Sequence, residues 1–182
     1  MRPVLTSIYR FAGGLAACFI LAIVVLVFAQ VCLNLADKIA AALTGQGIGL
    51  TIPSYADFTG FFLAASAFLA LAYTLREGGH IRVTLVVMRL PERARHMAEI
   101  MVTSIALAMS AFATVYMVLL VLESHEFGDR SAGMVSVPLW IVQMPVALGL
   151  AILTLALADE IYGLLRGSRP SWAGKGENLL NE

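Results

Sequence analysis

The sequence predicts an all-α membrane protein in which four transmembrane helices form one domain, N-in and C-in, with a short interfacial amphipathic helix between spans two and three. Three observations lead there. Of 182 residues, 60% are hydrophobic and only 13% charged, whereas a soluble domain carries about a quarter charged residues. Residues 11–35, 55–75, 97–122 and 137–160 are four apolar stretches that each supply the roughly 20 residues a bilayer crossing needs. The basic residues are also segregated: ten of the twelve Lys and Arg lie at the termini or between spans two and three, leaving Lys38 and Arg130 on the other side. That asymmetry across short loops sets the cytoplasmic face.

Each span is expected to be helical, because backbone polar groups in hydrocarbon have no water to bind and the segments show no β alternation. The first, Phe11 to Leu35, is too long for the apolar region of a signal peptide, and Val31 stands where a lipoprotein signal needs a small residue before Cys32. It is read as an anchor. Cys18 and Cys32 are too far apart along one helix to bridge and have no C-x-x-C spacing, so they are read as packing residues. The outer loop from Ala36 to Ser54 contains GQGIG, which lacks the G-x-G-x-x-G pattern of a phosphate cradle and reads as a flexible connector.

Span two ends in "LREGGHIRV", Leu75 to Val83. Gly78 and Gly79 suit the left-handed turn beyond a helix C-terminus. Ile81, Leu85 and Met88 then follow at i, i+4 and i+7, with Arg82 and Arg89 on another face, the pattern of a segment lying in the interface. Arg76, Gly78, Gly79, His80, Arg82 and Arg89 are the candidate residues for contact with a partner or with lipid headgroups. Pro91 and Glu92 suit the first turn of span three. Beyond span four, residues 1–167 being the membrane domain, residues 168–182 read as a flexible cytoplasmic tail.

The central portions of the spans hold no Asp, Glu, Lys, Arg or His, the residues that usually mark an ion or substrate pathway at membrane depth. Asp57, Glu99, Asp159 and Glu160 lie near span ends, where headgroups or water can solvate them. The deeper polar residues, Gln30, Asn34, Ser66, Ser104, Ser110, Thr114, Tyr116 and Gln143, are of the kind that hydrogen-bond between helices. His80, His96 and His125 sit in loops or at span ends, unlike the axial ligands of a membrane haem. Glu123, His125, Glu126 and Asp129 do not match the H-E-x-x-H zinc pattern and read as a solvated loop. No catalytic, substrate-binding or metal-binding residue and no cofactor is expected in this chain, and its zero formal charge offers nucleic acid no basic footprint. Small residues recur every four positions at Gly60 and Ala64 on span two and at Ala106, Ser110 and Thr114 on span three, strips suited to close helix packing. Pro138 and Trp140 mark the entry of span four.

Three stretches together, "LREGGHIRV", "LPERAR" at Leu90 to Arg95, and "SVPLWIVQMPVALGLAIL" at Ser136 to Leu153, resemble the small membrane subunit of tripartite ATP-independent periplasmic (TRAP) transporters, the DctQ-like family. The likeness runs from about Ile8 to Leu165. It departs at Ser54, Tyr55 and Asp57, where the family often has a tryptophan before the acidic residue, and at Ala147, where a glycine often follows the second proline. The resemblance implies a multi-pass protein of the bacterial inner membrane that serves as a scaffold subunit. Its implied partners are membrane lipids, a large permease subunit that moves the substrate, usually with sodium, and a periplasmic substrate-binding protein that captures an organic acid. An autonomous homo-oligomeric four-span transporter or channel is the alternative, and a membrane redox subunit a more remote one.

Overall fold

The computed structural model describes residues 2–78, 91–167 and 171. They form four helices: α1 (Arg2–Thr44), α2 (Tyr55–Arg76), α3 (Glu92–Glu126) and α4 (Leu139–Leu165). All four are long and apolar enough to cross a membrane. Among the described residues there is no strand, only an isolated bridge between Arg130 and Pro138. The interfacial segment expected after Gly79 lies outside the described residues.

The helices pack in the order α1, α2, α4, α3. α2 and α4 are the central pair, α1 packs on α2, α3 packs on α4, and α1 meets α4 only marginally. The register of α1 against α2 can be followed residue by residue: Tyr9 lies under Arg76, Gly13 against the ring of Tyr73, Phe19 beside Phe62, and Gln30 beside Ile52. The two helices are therefore antiparallel neighbours along nearly the whole of α2.

The helices outrun the expected spans. α1 has 43 residues and α3 has 35, because a helix stops where its backbone is capped and not where its apolar run ends. The first loop consequently starts at Gly45. It is not a free connector: Gly49 donates its N–H to the Asp37 carboxylate at 2.7 Å, and Ile52 donates to the Gln30 side-chain oxygen at 2.7 Å. Gln30 also donates to Thr51 and Asn34 at 3.1 and 2.9 Å. One buried amide thus holds the returning chain against α1.

Most apolar side chains are exposed in the isolated chain, as lipid-facing residues are. The buried centre consists of Tyr9, Ala72, Leu75, Ala156 and Leu157, with Ala106, Leu107, Ile152 and Leu153 packed around it. The tightest approach is at Gly149 of α4, where an added Cβ would stand 2.5 Å from the carbonyl carbon and oxygen of Phe68. Lipid supplies no hydrophobic force to press helices together, so such backbone contacts carry much of the packing.

Gly149→Ala is expected to lower the stability of the detergent-solubilised protein by about 1–3 kcal/mol through overpacking against backbone. Gly60→Ala, at a position with nothing within 4 Å of the added carbon, should be neutral or slightly stabilising. A thermal unfolding comparison of the two variants distinguishes them, and equal melting temperatures would contradict the assigned contact.

Candidate functional site

Arg76, the last residue of α2, is drawn into a polar knot that joins three helices. Its Nη1 donates to the Thr6 hydroxyl of α1 at 2.8 Å, its Nη2 lies 3.7 Å from the Asp159 carboxylate of α4, and its guanidinium stands 5.1 Å from the centre of the Tyr9 ring. The Arg76 and Asp159 side chains are only 17% and 20% exposed, so water screens the pair less than it would a surface bridge. The planar fork of Arg allows all three contacts at once, which an ammonium could not match. Tyr9 is buried, and its hydroxyl has no hydrogen-bond partner among the described residues.

Glu160, one residue past Asp159, was expected at the solvated end of span four, but it is 7% exposed. Its carboxylate accepts the backbone N–H of Ser171 at 3.2 Å, which brings one residue of the C-terminal segment against α4. Beyond Arg76 the helix closes with Glu77 and Gly78, whose N–H groups donate to Tyr73 and Leu75 at 3.0 and 3.3 Å. Gly78 has φ of 73°, a conformation that is easy for glycine and costly with a Cβ. Gly79, His80, Arg82 and Arg89 lie outside the described residues. Across that segment, α3 begins after Pro91 with Glu92 in its first turn, and Arg95 pairs with Glu99 one turn on at 3.5 Å.

The strip on α3 meets α4. Ala106 borders the buried centre, and the Ser110 and Thr114 hydroxyls lie 2.8 and 3.0 Å from that of Thr154. Thr114 and Thr154 also donate to the carbonyls of Ser110 and Leu150. The strip on α2 is arranged differently: Ala64 is half-buried and Gly60 is exposed, with open space where a Cβ would be. Pro138 precedes the first residue of α4, and Trp140 stands edge-on to His125 with ring centres 5.3 Å apart, tying the start of α4 to the end of α3. Cys18 and Cys32, expected to pack, are both exposed on α1.

At the opposite end from Arg76, Ser54 precedes α2 in a left-handed conformation, φ 56°. Its hydroxyl does not cap the helix and instead accepts the N–H of Val135 from the loop between α3 and α4 at 2.9 Å. Gly133 of that loop lies against the side chains of Asp57 and Ser54, which would have to move to admit a Cβ there. Arg130 braces the loop from within, donating to the Ser136 hydroxyl and carbonyl at 2.8 and 2.9 Å.

The close approach at Gly149, the role of Gln30, the diverted Ser54 and the partners of Arg76 are not evident in the sequence. The chain offered a signal only for Gly149, a small residue in the middle of a bulky span.

A family model described as "Tripartite ATP-independent periplasmic transporters, DctQ component" matches residues 23–167. That match spans α1 from Ile23 onward, all of α2 and α3, and α4 to its end. No curated protein matches the chain.

A double-mutant cycle of Arg76→Gln and Asp159→Asn should return a coupling of about 1 kcal/mol in thermal or denaturant unfolding, the size expected for residues in direct contact. Additive effects of the two substitutions would mean that the pair does not join α2 to α4.

Proposed function

The chain belongs to the DctQ-component family of tripartite ATP-independent periplasmic transporters, and from that premise we propose that it is the stationary scaffold subunit of a sodium-coupled importer of an organic acid. The family match over residues 23–167 carries this reading. In it, a periplasmic binding protein delivers the acid, a large permease subunit moves it across the inner membrane, and this chain braces that permease.

Two features of the chain agree with a brace. The centres of its spans carry no Asp, Glu, Lys, Arg or His, the groups from which a coupled ion or anion site is usually built. Both ends of the helix row are tied by polar contacts, through Arg76 at one and Ser54 at the other. In this reading the Arg76 end is cytoplasmic, following the distribution of basic residues. Gly79, His80, Arg82 and Arg89 are proposed to serve contact with headgroups or the permease, where each basic residue near anionic headgroups contributes about 1 kcal/mol. The arginines among them also pair with acidic groups on the permease.

Reporters fused after residue 167 or near residue 86 are expected to be cytoplasmic, and those near residues 46 and 130 periplasmic; termini on opposite sides would overturn the topology. The purified chain alone should show no concentrative uptake. Reconstituted with its permease and binding protein it should support uptake that needs a sodium gradient, and uptake by the chain alone would favour an autonomous carrier.

Arg82→Glu and Gly79→Val should leave insertion intact while lowering both transport and co-purification of the permease. Arg93→Gln with Arg95→Gln should be milder, because neighbouring arginines keep the orientation. Full uptake and full complex recovery in both single variants would reduce the segment to a topological marker.

A further inference from the structure

The height of α1 does not fit the helix it is paired with. Since Gln30 is level with Ile52, just before α2 starts at Tyr55, residues 31–44 of α1 rise about 20 Å past the start of α2, at about 1.5 Å per residue. Asp57, exposed in the first turn of α2, keeps the hydrocarbon boundary at or below that turn.

Tilt does not remove the overhang. With 22 residues, α2 is about 33 Å long, so it can lean by no more than about 25° and still cross about 30 Å of hydrocarbon. α1 follows it as an antiparallel neighbour and leans with it. The headgroup layer adds on the order of 6 Å on each side. By the same rise, Ile39 and Leu43 lie about 13 and 19 Å above Gln30 along the helix, beyond the reach of lipid tails.

Yet this overhang is apolar on one face. Val31, Leu35, Ile39 and Leu43 recur every four residues and are 56%, 58%, 52% and 80% exposed. Asp37, together with Gln30 just below, points the other way, into the loop that returns along α1. The polar face of the extension is thus occupied by the chain itself, and the apolar face is left bare. Toward the membrane the same face continues through Val24 and Phe28, both exposed. It borders an open apolar groove of about 500 Å³ between α1 and Phe62, lined by Cys18, Leu21, Ala22 and Val25 among others.

A face that runs unbroken from bilayer depth to well outside it matches neither lipid alone nor a wholly soluble protein. We infer that the stripe from Val24 to Leu43 is the docking ridge for a transmembrane helix of the large permease subunit that likewise extends past the outer surface of the membrane. Residues spaced by four form the ridge that packs into the groove of a neighbouring helix. Ala36 and Ala42, exposed beside it, let that neighbour come close. This assignment rests on the proposed function, and it places the brace along α1 in addition to the arginine segment at the other end.

The test is co-purification of the co-expressed permease through a tag on this chain. Ile39→Asp combined with Leu43→Asp lies outside the hydrocarbon and should leave membrane insertion unchanged while lowering permease recovery about tenfold, since carboxylates would be buried without partners. Ile39→Leu with Leu43→Met should keep full recovery. So should Met134→Asp, at an 86% exposed site on the other outer loop. A photo-crosslinker at position 43 should capture the permease, and it gives a readout even if the aspartate pair expresses poorly. Full recovery with the aspartate pair, or capture of the binding protein or of a second copy instead, would overturn the ridge. Failure of the unaltered chain to recover the permease would instead defeat the scaffold reading itself, and the ridge with it.

Discussion

The contact between α2 and α4 holds the molecule together, since α1 reaches the rest through α2 and α3 through α4. In water, burying apolar side chains would drive such an assembly, but in lipid the surroundings are as apolar as the side chains. What remains is close approach and polar pairing. Gly149 supplies the first by letting the backbone of Phe68 come within 2.5 Å of where a Cβ would be. Arg76 and Asp159 supply the second from the ends of the same two helices. The outer helices repeat the scheme with weaker means: Gly13 receives Tyr73 on one side, and Thr154 meets Ser110 and Thr114 on the other.

Polar groups at the two ends do different work. At the Arg76 end the ties run between helices, and one guanidinium serves α1 and α4 at once. At the other end they run from helices to loops: Gln30 and Asp37 hold the first loop to α1, and Ser54 holds the second to the start of α2. Ser54 adopts φ 56° there, a conformation rare outside glycine, and gives up its capping bond to do so. The loop contact is therefore favoured over ordinary helix capping, and both connections on that side are shaped by the helices they join.

The four helices were legible because the spacing of apolar runs and the segregation of basic residues are properties of the chain alone. Their lengths were less so. Hydropathy falls after Leu35, and the span expected for α1 ends with it, but "ADKIAAAL" is half Ala, with a Lys and a Leu, residues that favour helix with or without a bilayer. The polar contacts were hidden for another reason. Arg76 counted among the residues that set orientation, while Asp159 lay at the end of a different span, and nothing in one sequence pairs them. Gln30 reads in the sequence as a bond between helices; in the structure it receives the chain returning to α2 instead, donating to Thr51 and accepting from Ile52. A glycine strip shows where a helix can be approached and not by what: Gly60 faces open space while Gly149 is filled.

In the proposed role, a subunit that braces a moving neighbour would have to resist being carried along, and the chain's own contacts bear on that. With only 22 residues, α2 has little freedom to tilt before it no longer spans the hydrocarbon. α1 is fixed to it at Tyr9, Gly13, Phe19 and Gln30, so the longest helix inherits the constraint of the shortest. A lean imposed on the upper end of α1 would have to shift the α1–α2 register or break the Gln30 contacts, which anchor the first loop, or pull at Arg76, which anchors α4. A load on the overhang would thereby pass along α1 to the α2–α4 contact at the centre of the row. The length mismatch and the placement of polar ties at both ends belong to one arrangement, in which the longest helix is held over part of its length by the shortest.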